Sequence, residues 1–381
     1  MHLYGLDLRD VIGIEAFVSF IAKKYKKVDI VINNACQTVR RPVGYYRPIV
    51  EDEMRLWNLY NHQMNKNDNG NQNQIKDTND SKDGKVFLLG CAKFENYRRN
   101  RSGQSQPQIE ESPNPPNTRE YQKETKNHPN SNTSIIPIPN PTASTTASIT
   151  ASAIGSPNYE RTGLCHSALM SQTILLPDDY DPLSSTITTV KDVNSQALDI
   201  RRTNSWILKL EQISTPEILE TMIINAVAPF ILNSRLIPLI MIPTHPDGSL
   251  MKENGNRSGK TVRDKFIINV SAMEGKFYRY KMPNHPHTNM AKAALNMMTR
   301  TSSEELAKKY HIYMNSVDTG WINDENPLER ASKTAKTNYF QTPIDEIDAV
   351  ARILDPVFSA IGSSDKRVYG IFLKDYRESE W

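Results

Sequence analysis

The sequence predicts an α/β fold with a doubly wound parallel sheet, because short apolar runs alternate with segments of helical periodicity through most of the chain. The cysteines agree with such a fold: Cys36, Cys91 and Cys165 form no CxxC pair, which excludes a disulfide framework and a thiolate zinc site. No metal site is predicted. Only 38% of the 381 residues are apolar, so part of the chain is expected to stay unfolded.

The first elements are a helix and a strand. Asp10 can cap a helix in which apolar residues recur at helical spacing between Val11 and Ile21. Residues 28–32 form a short apolar run that is followed by two asparagines, which is typical of a buried strand. This helix and this strand begin the alternation that predicts the sheet.

The composition changes sharply after residue 52. Residues 61–158 are rich first in Asn and Gln, then in Pro, and finally in Ser, Thr and Ala. Such segments bury too little apolar area to offset the entropy of ordering them. We therefore predict that residues 1–52 and 161–381 are two parts of one folded domain, and that residues 53–160 are a low-complexity, disordered insertion. A partner-binding or phosphorylated role for this insertion stays open.

The second folded part continues the alternation. Ser214, Pro216 and Glu217 form a capping-box signature at the start of a long helix. Apolar runs predict strands at residues 266–270, 312–317 and 367–373. Helical periodicity predicts helices at 291–309 and 344–359, the last one bent or shortened at Pro356. In a parallel sheet of this kind, ligands bind beyond the carboxyl ends of the strands.

Charge and hydropathy argue against several classes of protein. With 46 Lys and Arg against 43 Asp and Glu, the formal net charge is +3, which disfavours a nucleic-acid partner. No uninterrupted apolar run approaches the length that spans a bilayer, so no membrane partner is expected. The N-terminus has no apolar signal-peptide region, and a cytoplasmic location is therefore the default.

Six motifs occur in a fixed order along the two folded parts. They are Asp7 in GLDLRD, Asn33-Asn34-Ala35-Cys36 after the first strand, Asn225 in INAVAPF, Ser271 in IINVSAMEG, Lys292 in MAKAALN, and the turn that contains Thr319 and Gly320. Together, over about 270 residues of sequence, they resemble the short-chain dehydrogenase/reductase superfamily. The stretch HPHTNMAKAALNMMTRTS is similar to a divergent subgroup of oxidoreductases without a settled substrate.

The resemblance implies a Rossmann-type sheet and a reaction on an alcohol or carbonyl substrate with NAD or NADP as the cofactor. It implies that Asn225 and Ser271 support the reaction centre and that Lys292 holds the ribose hydroxyls. The other residues that it places at the cofactor are Asp7, Asn33, Asn34, Ala35, Thr319 and Gly320. It also implies a homo-oligomer formed through the helices before and after the Ser271 strand.

The first departure from the family is the glycine-rich turn that holds the pyrophosphate at a helix N-terminus. No GxxxGxG or GxGxxG occurs, and the chain starts near the family's third strand. The expected fold is therefore N-terminally incomplete, with a shortened protein that pairs with a partner as the alternative. The residue that selects between the cofactors follows the family's second strand, so both NAD and NADP stay open.

The second departure concerns the acid and base of the reaction. Thr288 stands four residues before Lys292, where the family has Tyr, and an aliphatic hydroxyl is a far weaker acid than a phenol. Tyr278 or Tyr280, in the loop after Ser271, or His287 are the alternative proton donors. Ordinary catalysis, altered catalysis and loss of activity all stay open, and the rival function is a catalytically inactive scaffold or subunit of the same fold.

Several of these residues also have ordinary structural explanations. Arg40 and Arg41 are expected to be solvated, with a place at the cofactor rim as the alternative. Cys36 is expected to be a small, buried apolar side chain, with a reactive thiol as the alternative. Thr288 is as well explained as a helix N-cap, and Lys292, outside its motif, would be a solvated charge.

Overall fold

The structure is a computed structural model that describes residues 2, 4–68, 170–180, 199–245, 250, 263–277, 280–339, 342–363, 365 and 367–381. Its centre is a five-stranded sheet in the order β1-β2-β3-β4-β5. The strands are β1 (Ile30–Asn33), β2 (Lys265–Ser271), β3 (Ile312–Asp318), β4 (Phe372–Lys374) and β5 (Arg377–Ser379). The first four are parallel and β5 runs antiparallel to β4. The predicted α/β class is confirmed.

Helices cover both faces of this sheet. They are α1 (Val11–Lys24), α2 (Val43–Asp68), α3 (Thr215–Met222), α4 (Ala228–Ile240), α5 (Pro286–Tyr310), α6 (Leu328–Asn338) and α7 (Glu346–Gly362). A π-helical turn, Ile223–Val227, joins α3 to α4. Helices α1 and α4 pack over Ile267 and Met314 of the sheet, whereas α7 packs over Phe266, Ile268 and Val317. Successive strand residues therefore face opposite layers, as in a doubly wound sheet.

The helix caps follow the sequence prediction. The carboxylate of Asp10 accepts a hydrogen bond from the Gly13 amide at 2.9 Å, and the Ser214 hydroxyl accepts one from the Glu217 amide at 3.3 Å. The reciprocal bond of a capping box is replaced by two others. The Glu217 carboxylate accepts from the Ser205 hydroxyl at 2.6 Å and from the Arg40 amide at 2.8 Å. Glu217 thus ties the start of α3 to two loops.

Three element predictions need correction. Strand β1 is not a buried strand: Ile30 is 43% and Ile32 40% exposed, because among the described residues β1 pairs only with β2. The last predicted strand is a short hairpin, β4 and β5, that turns through Asp375 and Tyr376, both with positive φ. Helix α7 continues past Pro356 to Gly362, because Ile353, Val357 and Ala360 bury its inner face on the sheet.

The predicted insertion begins too early. Helix α2 runs from Val43 across the predicted boundary at residue 53 to Asp68, and Val50 on its inner side is buried. Residues 53–68 are therefore helical. The remainder of the predicted insertion, residues 69–160, lies outside the described residues.

One helical segment, Thr215–Ile240, is long and apolar enough to cross a membrane by length and composition, with a mean hydropathy of 1.6. It holds no uninterrupted apolar run of that length, because Asn225 and Asn233 interrupt the segment. Its residues Ile231, Leu236 and Ile240 belong to the core cluster beside the sheet. One face of the segment therefore packs in the core, while 33% of its most apolar stretch is buried.

Candidate active site

The predicted site residues gather at the carboxyl ends of the strands. Asn33 ends β1 and is in register with Asn269 of β2, while Ser271 ends β2 in register with Asp318 of β3. Because the three strands are parallel, their ends and the segments that follow them lie along one edge of the sheet. This is the edge at which ligands bind in open α/β sheets.

Three side chains from two helices contact the loop after β1. Lys292 Nζ lies 3.0 Å from the Cys36 Sγ, and Asn225 Nδ2 donates to the Gln37 carbonyl oxygen at 2.8 Å. The Thr288 hydroxyl donates to the Thr38 carbonyl oxygen at a longer 3.4 Å. The π-helical turn and α5 therefore hold consecutive residues of this loop. The structure thus brings Asn225, Thr288 and Lys292 together at one loop.

Asn225 lies inside the π-helical turn. Its amide Nδ2 also donates to the Thr221 carbonyl oxygen at 2.9 Å, one turn earlier in the helix. Such turns leave backbone carbonyls without their α-helical partners, and they occur frequently at functional sites. The buried Asn225 Oδ1 has no hydrogen-bond partner in the part of the chain that the structure describes. Asn225 therefore lies within the π-helical turn that joins α3 to α4, and its Oδ1 is an acceptor that remains available.

Lys292 is buried and fixed from two sides. It is 4% exposed, which excludes the solvated alternative, and its Nζ donates to the Val270 carbonyl oxygen at 3.0 Å. Gly275 packs against its backbone: a Cβ on Gly275 would lie 2.6 Å from the Lys292 carbonyl carbon. The Asn296 amide also donates to the Gly275 carbonyl oxygen at 3.2 Å. The loop after β2 is thereby fastened to α5 beside the lysine.

Ser271 is buried at the end of β2, 3% exposed. Its hydroxyl has no hydrogen-bond partner among the described residues. A buried polar group without a partner costs free energy unless a ligand or water satisfies it. Two such groups, the Ser271 hydroxyl and Asn225 Oδ1, therefore fit a site that a polar molecule enters.

The candidate proton donors differ in position. Thr288 is 2% exposed and lies in the first turn of α5, whose N-cap is His285, so the N-cap explanation of Thr288 is wrong. Tyr280 is 89% exposed and is not brought into the site, and Tyr278 lies outside the described residues. His287 is buried, and neither of its ring nitrogens has a hydrogen-bond partner within the described ranges. Burial, with a smaller effect from the charge of His285, lowers the pKa of His287 to about 4.

The cofactor residues implied by the resemblance fall into two groups. Asn34 and Ala35 are exposed at the end of β1, and Thr319 and Gly320 are half-buried after β3. Gly320 has a φ of 88°, a left-handed conformation that favours glycine. Its amide donates to the Asp318 carboxylate at 2.7 Å, which shapes this turn. The cofactor role of these residues stays a prediction.

Asp7 and Asn33 are engaged with neighbouring side chains. Arg9 binds the Asp7 carboxylate at 2.6 Å and also pairs with Glu220 at 3.1 Å. The Asn33 amide donates to Asn233 Oδ1 and Asn269 Oδ1, each at 2.8 Å. Both predicted cofactor residues therefore also hold the structure of the site.

Sequence reasoning missed the buried polar network that continues from Asn33. Asn269 accepts from Asn33 and Asn233, and its own amide donates to the Thr299 hydroxyl at 2.9 Å. The Ser316 hydroxyl donates to the same Thr299 oxygen at 2.9 Å. The network joins β1, α4, β2, α5 and β3 beneath the site. The sequence did contain a sign of this network, because each of the strands and helices involved has a polar residue within an otherwise apolar segment.

The arginine pair after the β1 loop is not solvated, and that prediction was wrong. Arg40 is 5% exposed and pairs with Asp179 at 2.9 Å and Glu220 at 3.3 Å, while Arg41 pairs with Asp199 at 2.8 Å. The reason is the local excess of buried carboxylates. Burial alone would raise the pKa of Asp199, but bonds from Arg201 and the charges of Arg201 and Arg41 hold it below its usual value.

Cys36 also differs from its prediction as a buried side chain. It is exposed, and it contacts Lys292 on one side and the Val270 carbonyl oxygen, at 3.7 Å, on the other. Over the described ranges, no group of three or more His, Cys, Asp or Glu side chains is placed to hold a metal ion.

Comparison with known proteins gives partial matches. No protein-family model matches the chain. Among curated proteins it is similar to the uncharacterized protein R665 of Acanthamoeba polyphaga mimivirus, 28% identical over 168 residues, which are 43% of this chain and 32% of the viral protein. The chain thus spans about a third of that relative's length.

Solved structures match a similar share of the chain. The angucycline C-6 ketoreductase LanV with bound NADP is 22% identical, with 44% of this chain and 56% of that chain covered and a TM-score of 0.31. The carbonyl reductase Sniffer of D. melanogaster is 18% identical, with 46% of this chain and 61% of that chain covered and a TM-score of 0.31. A short chain dehydrogenase from Burkholderia cenocepacia in complex with NADP is 16% identical, with 44% of this chain and 58% of that chain covered and a TM-score of 0.30. The chain spans less than two thirds of each.

The class of fold follows from the chain's own architecture. Three of the four parallel strands carry motif residues at one edge, a π-helical turn presents Asn225, and a long helix presents Lys292. This is an open, doubly wound α/β sheet with the motif residues at the carboxyl ends of its strands.

Proposed function

We propose that this chain is an NAD- or NADP-dependent oxidoreductase of the short-chain dehydrogenase/reductase type that acts on an alcohol or carbonyl substrate. The observation that carries the proposal is the convergence of Asn225, Thr288 and Lys292 on the loop Cys36–Thr38, next to the end of the Ser271 strand. Two buried polar atoms without partners in the described residues, on Asn225 and Ser271, support a ligand at this place.

The roles of the residues follow from their chemistry. A nicotinamide cofactor, when bound, supplies or accepts the hydride. Lys292 holds the ribose hydroxyls with the amine that now donates to the Val270 carbonyl oxygen. The Ser271 hydroxyl donates a hydrogen bond to the substrate oxygen, which orients that oxygen and stabilises negative charge on it. Asn225 fixes the loop after β1 by its bond to Gln37.

The proton is the demanding part of this chemistry. Thr288 occupies the place of the family's Tyr, and its hydroxyl transfers a proton only as part of a relay, because it is a much weaker acid than a phenol. Tyr280 lies on the surface, so its use requires the loop after β2 to move. His287 adjoins Thr288, and burial keeps it neutral near pH 7. The same lowered pKa makes its imidazole a weak proton acceptor and leaves it without a proton to donate at that pH beyond its ring N–H.

Cofactor binding tests the proposal. NADH and NADPH are titrated into the protein and followed by calorimetry or by quenching of tryptophan fluorescence. We expect saturable binding in the micromolar range and a loss of about tenfold or more in affinity, about 1.4 kcal/mol, in K292M. The matched control is K281M, since the Lys281 amine instead donates to the Met273 carbonyl oxygen at 2.7 Å. A folded protein that binds neither nucleotide contradicts the proposal.

The second candidate is a catalytically inactive scaffold of the same fold. Thr288 in the Tyr position favours it, as does the engagement of Lys292 with Cys36 and Val270. The two candidates are distinguished by an assay for consumption of NADPH with a panel of aldehydes and ketones. The absorbance of the reduced nicotinamide, at about 340 nm, reports the consumption. Turnover that S271A abolishes supports the enzyme. Nucleotide binding without turnover of any carbonyl supports the scaffold.

The chain is also proposed to form a homo-oligomer. Large apolar side chains are exposed along α3, the π-helical turn, α4 and α5. They are Leu219, Val227, Phe230, Met290 and Met297. These helices precede and follow the Ser271 strand, where the family resemblance places the contact. Burial of such side chains between two copies would release apolar surface from water.

A further inference from the structure

Cys36 and Lys292 form a close pair at the rim of the candidate site. The sulfur and the amine nitrogen are 3.0 Å apart, and the Val270 carbonyl oxygen lies 3.7 Å from the first and 3.0 Å from the second. Cys36 is exposed, whereas Lys292 is 4% exposed. A reagent in solution therefore meets the sulfur first, and the nitrogen is already in contact with that sulfur.

This geometry matches a known order of thiol chemistry. The thiolate is the nucleophilic form of a cysteine, and the Lys292 amine nitrogen lies 3.0 Å from the Cys36 sulfur. Oxidation of an accessible thiolate gives a sulfenic acid, which condenses with a nearby thiol or a backbone nitrogen. A primary amine is a stronger nucleophile than a backbone amide, so Lys292 is the favoured partner for a sulfenic acid on Cys36.

We propose that Cys36 and Lys292 form a redox modification site, at which hydrogen peroxide joins the two side chains through a reversible sulfur–nitrogen bond. The proposal concerns the covalent chemistry of the pair and holds whether or not the chain is an oxidoreductase. The reagent that this site would take is a small peroxide, which can reach the exposed Cys36.

The reaction balances in two steps. The thiolate sulfur attacks one peroxide oxygen, the O–O bond breaks and an S–O bond forms. The sulfur is oxidised by two electrons, and the hydroxide that leaves takes a proton from the Lys292 ammonium to give water. The neutral amine nitrogen then attacks the sulfur, the S–O bond breaks, and a second water leaves with a proton from the nitrogen. The product is an S–N bond between the side chains.

The bond would change the site directly. It removes the positive charge and two donor hydrogens of Lys292 and holds the loop after β1 against α5. A thiol reductant attacks the sulfur and restores both side chains. The modification would therefore act as a reversible block of the same amine that contacts the Val270 carbonyl oxygen.

Mass spectrometry of the peroxide-treated protein tests the proposal. A C91S/C165S background leaves Cys36 as the single thiol. After treatment with hydrogen peroxide, blocking of free thiols and digestion with trypsin, the expected product joins residues 28–40 to residues 282–300, because trypsin does not cut at a modified Lys292. Its mass is two hydrogen atoms below the sum of the two peptides, whereas methionine oxidation adds oxygen.

The controls separate the pair from its surroundings. We expect complete loss of the linked peptide in C36S and K292M. In K281M, whose altered lysine bonds the Met273 and Glu274 carbonyl oxygens, the linkage is expected to remain, now between residues 28–40 and 280–300, because the tryptic site at 281 is lost. Treatment with a thiol reductant is expected to release the two peptides. The main measurement is made with both native side chains present, so a variant that fails to fold does not affect it.

Two results overturn the proposal. One is a Cys36 sulfenic acid that a dimedone-type reagent traps while no linked peptide forms. The other is linkage of Cys36 to a lysine other than Lys292 in the folded protein.

Discussion

The guanidinium group of Arg40 binds the carboxylate of Asp179 through two hydrogen bonds, of 3.0 and 2.9 Å, although 139 positions separate the two residues in sequence. Asp179 also accepts from the amides of Leu175 and Leu176, at 2.8 and 2.9 Å, and from Val43 at 3.1 Å. One carboxylate therefore fastens the segment that includes residues 170–180 to the chain that enters α2.

The Arg40–Asp179 pair is expected to matter for stability. R40M leaves the Asp179 carboxylate buried without its counter-charge, which costs about 3–5 kcal/mol in the free energy of unfolding. Urea denaturation followed by circular dichroism measures this cost. The control is R55M, which removes an exposed pair with Asp52 and is expected to change stability by less than about 1 kcal/mol. Equal effects of the two variants would contradict the structural role of Asp179.

The buried amide network makes a graded prediction. N269A removes the group that bonds Asn33, Asn233 and Thr299 and is expected to cost about 3 kcal/mol, because several buried polar groups lose a partner. S316A removes a single bond at the end of the network and is expected to cost about 1 kcal/mol. Thermal and urea unfolding give both values. A larger cost for S316A than for N269A would show that Asn269 is not the centre of the network.

His287 predicts a dependence of stability on pH. Its pKa falls from 6.5 to about 4 in the folded state, so the unfolded chain binds a proton at this residue first as the pH decreases. The stabilising contribution is complete above pH 6.5 and is lost between pH 6.5 and pH 4, by up to about 3 kcal/mol. The measurement is the free energy of unfolding by urea at a series of pH values from about 7.5 to about 4.5, which covers most of the range between the two pKa values. H287F is expected to flatten this part of the curve, and an unchanged curve would refute the assignment.

The proposed oligomer can be tested at one exposed side chain. Phe230 is 57% exposed on α4, and F230E places a charge where a second copy would bury an aromatic ring. Light scattering after size exclusion is expected to show the mass of an oligomer for the parent protein and of a monomer for F230E. L56E alters a residue on α2 that is 52% exposed and serves as the matched control. A monomeric parent protein at micromolar concentration removes the proposal.

Much of the fold could be predicted from sequence because its signals are local. The N-caps Asp10 and Ser214 and the apolar runs of β2 and β3 depend on neighbours within a few residues, and each is present as expected. The sequence named Asn225, Thr288 and Lys292 as candidate site residues, and the structure brings these three side chains to one loop. Their meeting point on the loop after β1 follows from the parallel strands.

Other features depend on partners that are distant in sequence. The solvated arginine pair was the ordinary expectation for two adjacent charges, and only the fold brings Asp179, Asp199 and Glu220 to Arg40 and Arg41. Cys36 was judged by its residue type alone, which does not reveal that an amine approaches its sulfur. The exposure of β1 likewise depends on how many neighbours a strand has, which its own sequence does not state.

The π-helical turn between α3 and α4 sets the rotational phase of everything that follows it. An α-helix turns by about 100° per residue, and the turn accommodates one more residue than an α-helical turn would. Deletion of a single residue between Ile223 and Val227 would let the segment become continuous α-helix, and α4 would rotate about its axis by about 100° relative to α3. With α3 held in place by Glu217, Ile231 and Leu236 would swing away from the sheet. The extra residue therefore lets one helix hold the loop after β1 with Asn225 and cover the core with α4.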